Sequence, residues 1–101
     1  MIIREWRGRA RLADAARYPA HFGGKVLPQL QALAGFVGAD LGQRQLGDRV
    51  EFLVLTRWAS MDAIRAFAGA DVEAAVVEPE AAAALADYDP KAQHYEMLQE
   101  A

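Results

Sequence analysis

Apolar and polar residues alternate along four stretches of the chain. These stretches are IIREWRGRA at 2–10, GFVGADLGQRQL at 35–46, VEFLVLTRW at 50–58 and KAQHYEMLQ at 91–99. Side chains of a strand point alternately to its two faces, so a period of two residues predicts four strands. Gly47-Asp48-Arg49 lies between the second and third of them and is typical of a tight hairpin turn.

Between the first two strands, apolar residues recur at steps of three or four from 12 to 33, which predicts a helix. Pro19 and Pro28 lack an amide donor, and Gly23 is followed by a second glycine. We therefore expect a kink or a break near Gly23, with a second short helix after it.

A second helical region follows the third strand. Ser60 is a suitable N-cap, Asp62 carries a negative charge in the first turn, and the helix should end near Gly69. Residues 71–90 predict one or two short helical turns, with Asp71 as a cap and Pro79 as an interruption.

The order strand, helix, strand, strand, helix, strand predicts a single α+β domain over residues 1–101 with a ferredoxin-like βαββαβ fold. Its antiparallel sheet would carry helices on one face. Phe52, Val54 and Trp58 share one face of the third strand, and Leu53 and Leu55 share the other. Because both faces are apolar, we expect a homodimer that packs through the face carrying Leu53 and Leu55.

Composition excludes several classes of function. Eleven Lys and Arg against fourteen Asp and Glu give a net charge of −3, which supports neither nucleic-acid binding nor attraction to an anionic membrane. No apolar run approaches the roughly 18 residues of a membrane span. The absence of Cys excludes disulfides and thiolate metal sites and makes a reducing cytoplasm the expected location. No pair of ligands has metal-binding spacing, so we expect no metal. The glycine pairs lack the lysine or the strand–helix setting of nucleotide-binding loops, and we expect no cofactor.

Candidate chemistry is limited by what the chain lacks. It contains one Ser, one Thr, two His and no Asn, which argues against a Ser–His nucleophile pair. His21 and His94 are the candidate general bases, because an imidazole titrates near neutral pH. The alternative for each is a structural or solvent-facing role.

The segments EFLVLTRWASMDAIRAF, ADVEAAVVEP and HYEML together resemble the antibiotic biosynthesis monooxygenase superfamily of dimeric α/β barrels. The resemblance implies a cavity between the helices and the sheet, lined by the tryptophan that ends the third strand, here Trp58. It also implies that two polar partners of oxygen chemistry are absent, since Val54 replaces an Asn and Ile64 replaces a Tyr.

The haem-degrading branch of the superfamily resembles the chain at Trp58 and around Asp71. Trp6 stands where that branch has an Asn. The axial His of that branch corresponds to Val76 or Val77 in this sequence. The resemblance therefore argues against haem degradation and leaves haem binding without degradation as an alternative.

We expect a pocket for a small aromatic or polyketide-like molecule, walled by Trp58, Trp6, Phe22 and Phe67, with Arg4 at one end. Trp58 could equally be a core anchor, and Arg4 could either pair with an anionic group of the substrate or form a surface salt bridge. Two functions follow. One is a cofactor-independent monooxygenase, and the other is a ligand-binding dimer that has lost the chemistry.

Overall fold

The computed structural model describes all residues, 1–101. Five strands and four α-helices follow one another, with a 3-10 turn at Leu12–Asp14 and a π-helical turn at Phe22–Val26. In chain order they are β1 (Ile2–Arg11), α1 (Arg17–His21), α2 (Leu27–Gln31), β2 (Phe36–Leu46), β3 (Arg49–Trp58), α3 (Met61–Ala68), α4 (Pro79–Ala84), β4 (Asp87–Tyr88) and β5 (Gln93–Glu96).

All strand pairs are antiparallel. The sheet order is β2-β3-β1, and the outer edge of β1 pairs with both β4 and β5. The predicted α+β, ferredoxin-like arrangement is therefore confirmed. Two details differ from the sequence expectation: the last strand covers only Gln93–Glu96, and β4 lies within the segment expected to be helical. Residues Asp87–Tyr88 extend because the exposed edge of β1 offers them backbone partners at Gly8 and Arg9.

The β2–β3 hairpin closes through two residues, since Leu46 pairs with Arg49. Gly47 has φ of +62° and Asp48 does not have a positive φ, as expected for a type II′ turn, in which glycine takes the first central position. This turn sets the register that runs along the whole of β3.

One face of β3 is buried against the helices. Phe52 and Trp58 are fully buried, and Val54 and Thr56 lie between them on the same face. Leu53 and Leu55 lie on the opposite face and are half-buried. The assignment of faces from period-two alternation is confirmed.

The glycine-containing helix does not break. Backbone bonding widens to a π turn at Phe22–Val26 and then returns to an α-helix that has Pro28 in its first turn. The proline is tolerated there because the first amides of a helix segment can lack an intrahelical acceptor. The expected irregularity at Gly23 is present, as a π turn.

The two later helices begin at different signals. The Ser60 side chain accepts a hydrogen bond from the Ala63 amide, so the predicted cap is confirmed. The expectation for Pro79 was wrong, because it begins α4 and interrupts nothing. Residues 71–78 contain no helix, so Asp71 caps none. A single turn closes from the Ala74 amide to the Asp71 carbonyl, and the backbone of residues 73–75 then bonds to residues 90–92.

Candidate functional site

A cavity of about 80 Å³ lies between the inner face of the sheet and the helices, and it is partly open to solvent. Two thirds of its lining residues are hydrophobic. The lining consists of Arg4, Trp6, Tyr18, His21, Phe22, Val26, Gln29, Leu30, Val54, Thr56, Phe67, Val76, Val77, Glu78 and Ala81. An apolar concavity with a few convergent polar groups is typical of a small-molecule site.

Arg4 is buried in the cavity wall and has no carboxylate within ion-pair distance. Its Nη1 donates to the Val72 carbonyl and lies 2.9 Å from His94 Nε2, and its Nη2 donates to the Ala74 carbonyl at 2.8 Å. Burial lowers the pKa of Arg4, although an arginine stays charged at physiological pH. The surface salt bridge considered for Arg4 is therefore not formed.

His21 is the polar group that the cavity leaves without partners. Its side chain is only 7% exposed, and neither ring nitrogen makes a hydrogen bond. Nδ1 lies 3.4 Å from Glu80 Oε2, within ion-pair distance but outside hydrogen-bond geometry. A buried polar group normally finds a partner, so an unpartnered imidazole in a cavity wall points to a ligand.

Tyr18 is a lining residue that the sequence reasoning missed. Its ring packs 5.2 Å from Phe52 and 6.0 Å from Trp6 between centroids, and its hydroxyl makes no hydrogen bond to the protein. Burial raises its pKa to about 12, so the phenol stays protonated and can donate. The signal was available, since residues 18, 21 and 22 have the i, i+3, i+4 spacing of one helix face.

Three of the four expected aromatic wall residues line the cavity. Trp6 donates from Nε1 to the Asp89 carbonyl at 2.7 Å, and Phe22 and Phe67 contribute apolar surface. Trp58 does not line it. Its indole is fully buried, donates to Thr56 Oγ1 at 2.8 Å and stacks on Phe67 at 5.4 Å.

Trp58 thus lies one layer behind the wall, and the position expected for it is corrected. The reason is Phe67, which α3 places between the indole and the cavity and which also lies 5.6 Å beneath the Arg4 guanidinium. Trp58 packs with Leu30 and Ile64 in a small core cluster.

His94 also lies behind the wall. It contacts Arg4 and is not a lining residue. Burial lowers the pKa of His94, and the positive charge of Arg4 lowers it further. The structure therefore separates the two histidines, with His21 in the cavity and His94 supporting Arg4.

The two positions at which this chain lacks the polar residue that the resemblance implies, 54 and 64, lie in different parts of the structure. Val54 lines the cavity and adds apolar surface, whereas Ile64 is fully buried in the core. Val76 and Val77 line the cavity where the haem-degrading branch would have its axial His.

Haem does not fit the residues present. His21 could offer an imidazole, as an axial ligand must. However, Val76 and Val77, which line the cavity where the haem-degrading branch would have its axial His, carry no donor for iron. No group of three or more His, Cys, Asp or Glu side chains is arranged to hold a metal ion.

None of the helices has the length and apolarity needed to cross a membrane.

Sequence comparison finds no matching family model and no matching curated protein. Structure comparison finds close likenesses. A candidate antibiotic biosynthesis monooxygenase from Deinococcus radiodurans superposes with a TM-score of 0.68 at 16% identity, covering 100% of this chain and 96% of the other. The haem-degrading protein MhuD from Mycobacterium tuberculosis gives 0.65 at 17% identity, covering 100% and 99%. SnoaB, a cofactor-independent oxygenase from Streptomyces nogalater, gives 0.64 at 16% identity, covering 98% and 95%.

These structures are described as oxygenases or haem degraders, and they share one chain topology with this protein over nearly its whole length. The resemblance predicted from the sequence is confirmed at the level of the fold. The chain has the fold of the antibiotic biosynthesis monooxygenases.

Proposed function

We propose that the protein is a cofactor-independent monooxygenase that oxidises a small aromatic molecule in the cavity, with His21 as the general base. One observation carries the proposal: His21 is buried in an apolar cavity wall, and apart from the approach of Glu80 to Nδ1 at 3.4 Å its ring has no polar partner in the protein. An imidazole that is shielded from bulk water can take a proton from a bound substrate. The described activity of SnoaB supports the same reaction class.

The reaction needs no added reductant. In an anthrone-type substrate, removal of a proton from the activated ring methylene leaves an electron-rich carbanion that transfers electrons to O₂. One oxygen atom becomes the new carbonyl oxygen and the other leaves as water, so the methylene and O₂ give a carbonyl and H₂O. The substrate supplies all four electrons. The protein contributes the base, the orientation and the exclusion of water.

The cavity volume limits the substrate. With about 80 Å³ available, the enclosed part of the ligand is about one ring, and further rings must extend through the open side past Gln29 and Val76. Tyr18 and Thr56 bring hydroxyls to the same space and can orient oxygen substituents.

The test is oxygen consumption with anthrone and with a substituted hydroquinone, using purified protein. Removing a general base costs about 10² to 10⁴ in rate, so His21→Ala should lose at least that lower factor. His94→Gln is the matched control, a histidine substitution behind the wall, and should retain activity within about tenfold. Equal loss in both variants, or an unchanged rate in His21→Ala, would exclude His21 as the base.

A non-catalytic ligand-binding protein is the second candidate, and the apolar Val54 in the cavity wall favours it. This candidate predicts saturable quenching of tryptophan fluorescence by the same compounds with no oxygen consumption.

Haem binding has its own test. A titration that leaves the Soret band at its free-haem position would exclude haem binding.

The assembly proposed with this function is a two-fold homodimer through the outer face of the sheet. Leu53 and Leu55 lie half-buried on that face, and Leu53 also lines a shallow, mostly polar depression that includes Gly42 opposite it. The absence of Cys is the ground for proposing a reducing cytoplasm as the location.

A further inference from the structure

Arg4 carries two N–H donors that the protein does not use. A guanidinium has five N–H groups. Acceptors in the protein engage three of them, namely the carbonyls of Val72 and Ala74 and the ring nitrogen of His94. The Nε–H and one N–H of Nη2 remain, so the edge of the guanidinium between Nε and Nη2 keeps at least one free donor.

The charge of Arg4 is also uncompensated. No carboxylate lies within ion-pair distance of it, although the chain pairs most of its other arginines with Asp or Glu. An unpaired charge is costly to bury, so a buried guanidinium of this kind is stabilised by an anionic partner. Glu78, the only carboxylate of the lining, does not pair with Arg4.

The three engaged N–H groups point to Val72, Ala74 and His94, none of which lines the cavity, whereas Arg4 itself does. The remaining edge is thus the part of the guanidinium available to a ligand. A charged guanidinium edge formed by Nε and Nη2 can bind both oxygens of a carboxylate, whereas a phenolate offers it a single oxygen.

We propose that the cavity binds an aromatic carboxylate, with its carboxylate group on the free edge of Arg4 and its ring in the apolar space next to Phe67 and Phe22. His21 lines the same cavity, so the bound ring would lie in the space that the proposed base borders. This names the substrate class for the proposed oxygenase and rests on that function for the use of the cavity. It does not require turnover.

The test uses benzoate and benzamide, which have the same ring and similar shape but differ in charge. Binding is followed by NMR through the indole N–H resonances of Trp6, which lines the cavity, and Trp58, which does not. Benzoate should bind about tenfold to a hundredfold tighter than benzamide, as expected for charge-assisted hydrogen bonds, and should shift Trp6 more than Trp58.

Substitutions test whether Arg4 causes the preference for benzoate over benzamide. Arg4→Gln should abolish this preference. Arg4→Lys should retain only part of it, because an ammonium keeps the charge without the planar edge of a guanidinium. Arg7→Gln on the outer face is the matched control and should leave it unchanged. Equal affinity for both probes, a preference that persists in Arg4→Gln, or no benzoate binding up to its solubility limit would overturn the proposal.

The ligand comparison on the unsubstituted protein stands even if Arg4→Gln fails to fold. Benzoate has no group that this chemistry oxidises, so the two proposals fail separately. A benzoate preference without oxygen consumption would remove only the oxygenase. Turnover of neutral anthrone without any benzoate preference would remove only the carboxylate site.

Discussion

Individual side chains of the cavity wall differ in whether the protein meets their hydrogen bonds. The Thr56 hydroxyl accepts from the Trp58 indole, whereas the imidazole of His21 makes no hydrogen bond in the protein. Unmet hydrogen bonds inside a protein reduce its stability unless a ligand or water meets them. The unmet hydrogen bonds of His21 therefore support the cavity, and not Trp58, as the place of the proposed function.

Tyr18 predicts an alkaline dependence of stability. Burial raises its pKa to about 12, whereas an unfolded tyrosine titrates near 10, so the unfolded chain loses the proton first. Stability is thus full below pH 10 and falls as the pH rises through about 12, by about 3 kcal/mol in total. Urea unfolding at a series of alkaline pH values should show a shallower decline in Tyr18→Phe. Tyr95→Phe, at an exposed site, is the control, and an equal change there would contradict the assignment.

His94 predicts the opposite dependence in acid. Its folded pKa lies below the usual 6.5 because of burial and the charge of Arg4. Its contribution to stability is therefore present above about pH 6.5 and is lost as the pH falls through the folded pKa. His94→Gln keeps an acceptor for Arg4 and should unfold with a smaller loss of stability between about pH 7 and pH 5. A slope as steep as that of the unsubstituted protein would show that another group is responsible.

At the level of elements, the π turn at Phe22–Val26 shapes the cavity wall. It contains Gly23 and Gly24, and both Phe22 and Val26 line the cavity. π turns inserted in α-helices are frequent at functional sites. The wider turn lets His21 and Phe22 face the same space as Val26.

The same turn allows a stability prediction with an internal control. A Cβ added at Gly23 or Gly24 meets no atom within 4 Å, and neither residue has a positive φ. Each Gly→Ala substitution should therefore raise the free energy of unfolding by about 0.4–1 kcal/mol through the unfolded chain. Gly35→Ala should lower it, because Gly35 has φ of +85° and its added Cβ would lie 2.5 Å from Ala63 Cβ. Chemical denaturation measures all three, and destabilisation by Ala at both 23 and 24 would show that glycine is needed in the turn.

For the whole molecule, the outer face of the sheet combines apolar and paired charged residues. Leu53 lies across from Arg7 and Leu55 lies across from Glu5, and Arg7 and Glu5 form an ion pair. Such pairs add little stability at a surface, whereas burial of the leucines in a dimer would add more.

The dimer predicts a specific response to substitution. Leu53→Glu or Leu55→Glu should shift the protein to a monomer in sedimentation at micromolar concentration, since an unpaired charge would enter the interface. Leu12→Glu, at an exposed leucine outside the sheet, should leave the assembly unchanged. A monomeric unsubstituted protein would remove the dimer from the proposal.

The local pattern of the sequence was sufficient for much of the fold. Alternation over 50–58 predicted both faces of β3, Ser60 predicted the start of α3, and Gly47 predicted the hairpin. These features depend on neighbouring residues in the chain, so their physical causes are visible in the sequence. Pro79 was misjudged because a proline can either interrupt or begin a helix, and the choice depends on what holds the residues before it.

The sequence by itself determined the order of the elements, the buried face of each strand and the scarcity of polar chemistry in the chain. Only the tertiary structure decided which residues face the cavity. Phe67 from α3 separates Trp58 from it, and the backbone carbonyls of residues 72 and 74 together with His94 hold Arg4 in its wall. These outcomes depend on contacts between residues far apart in the chain, where packing and hydrogen bonding, and not local periodicity, determine which side chain lies in front and which atoms stay unpartnered.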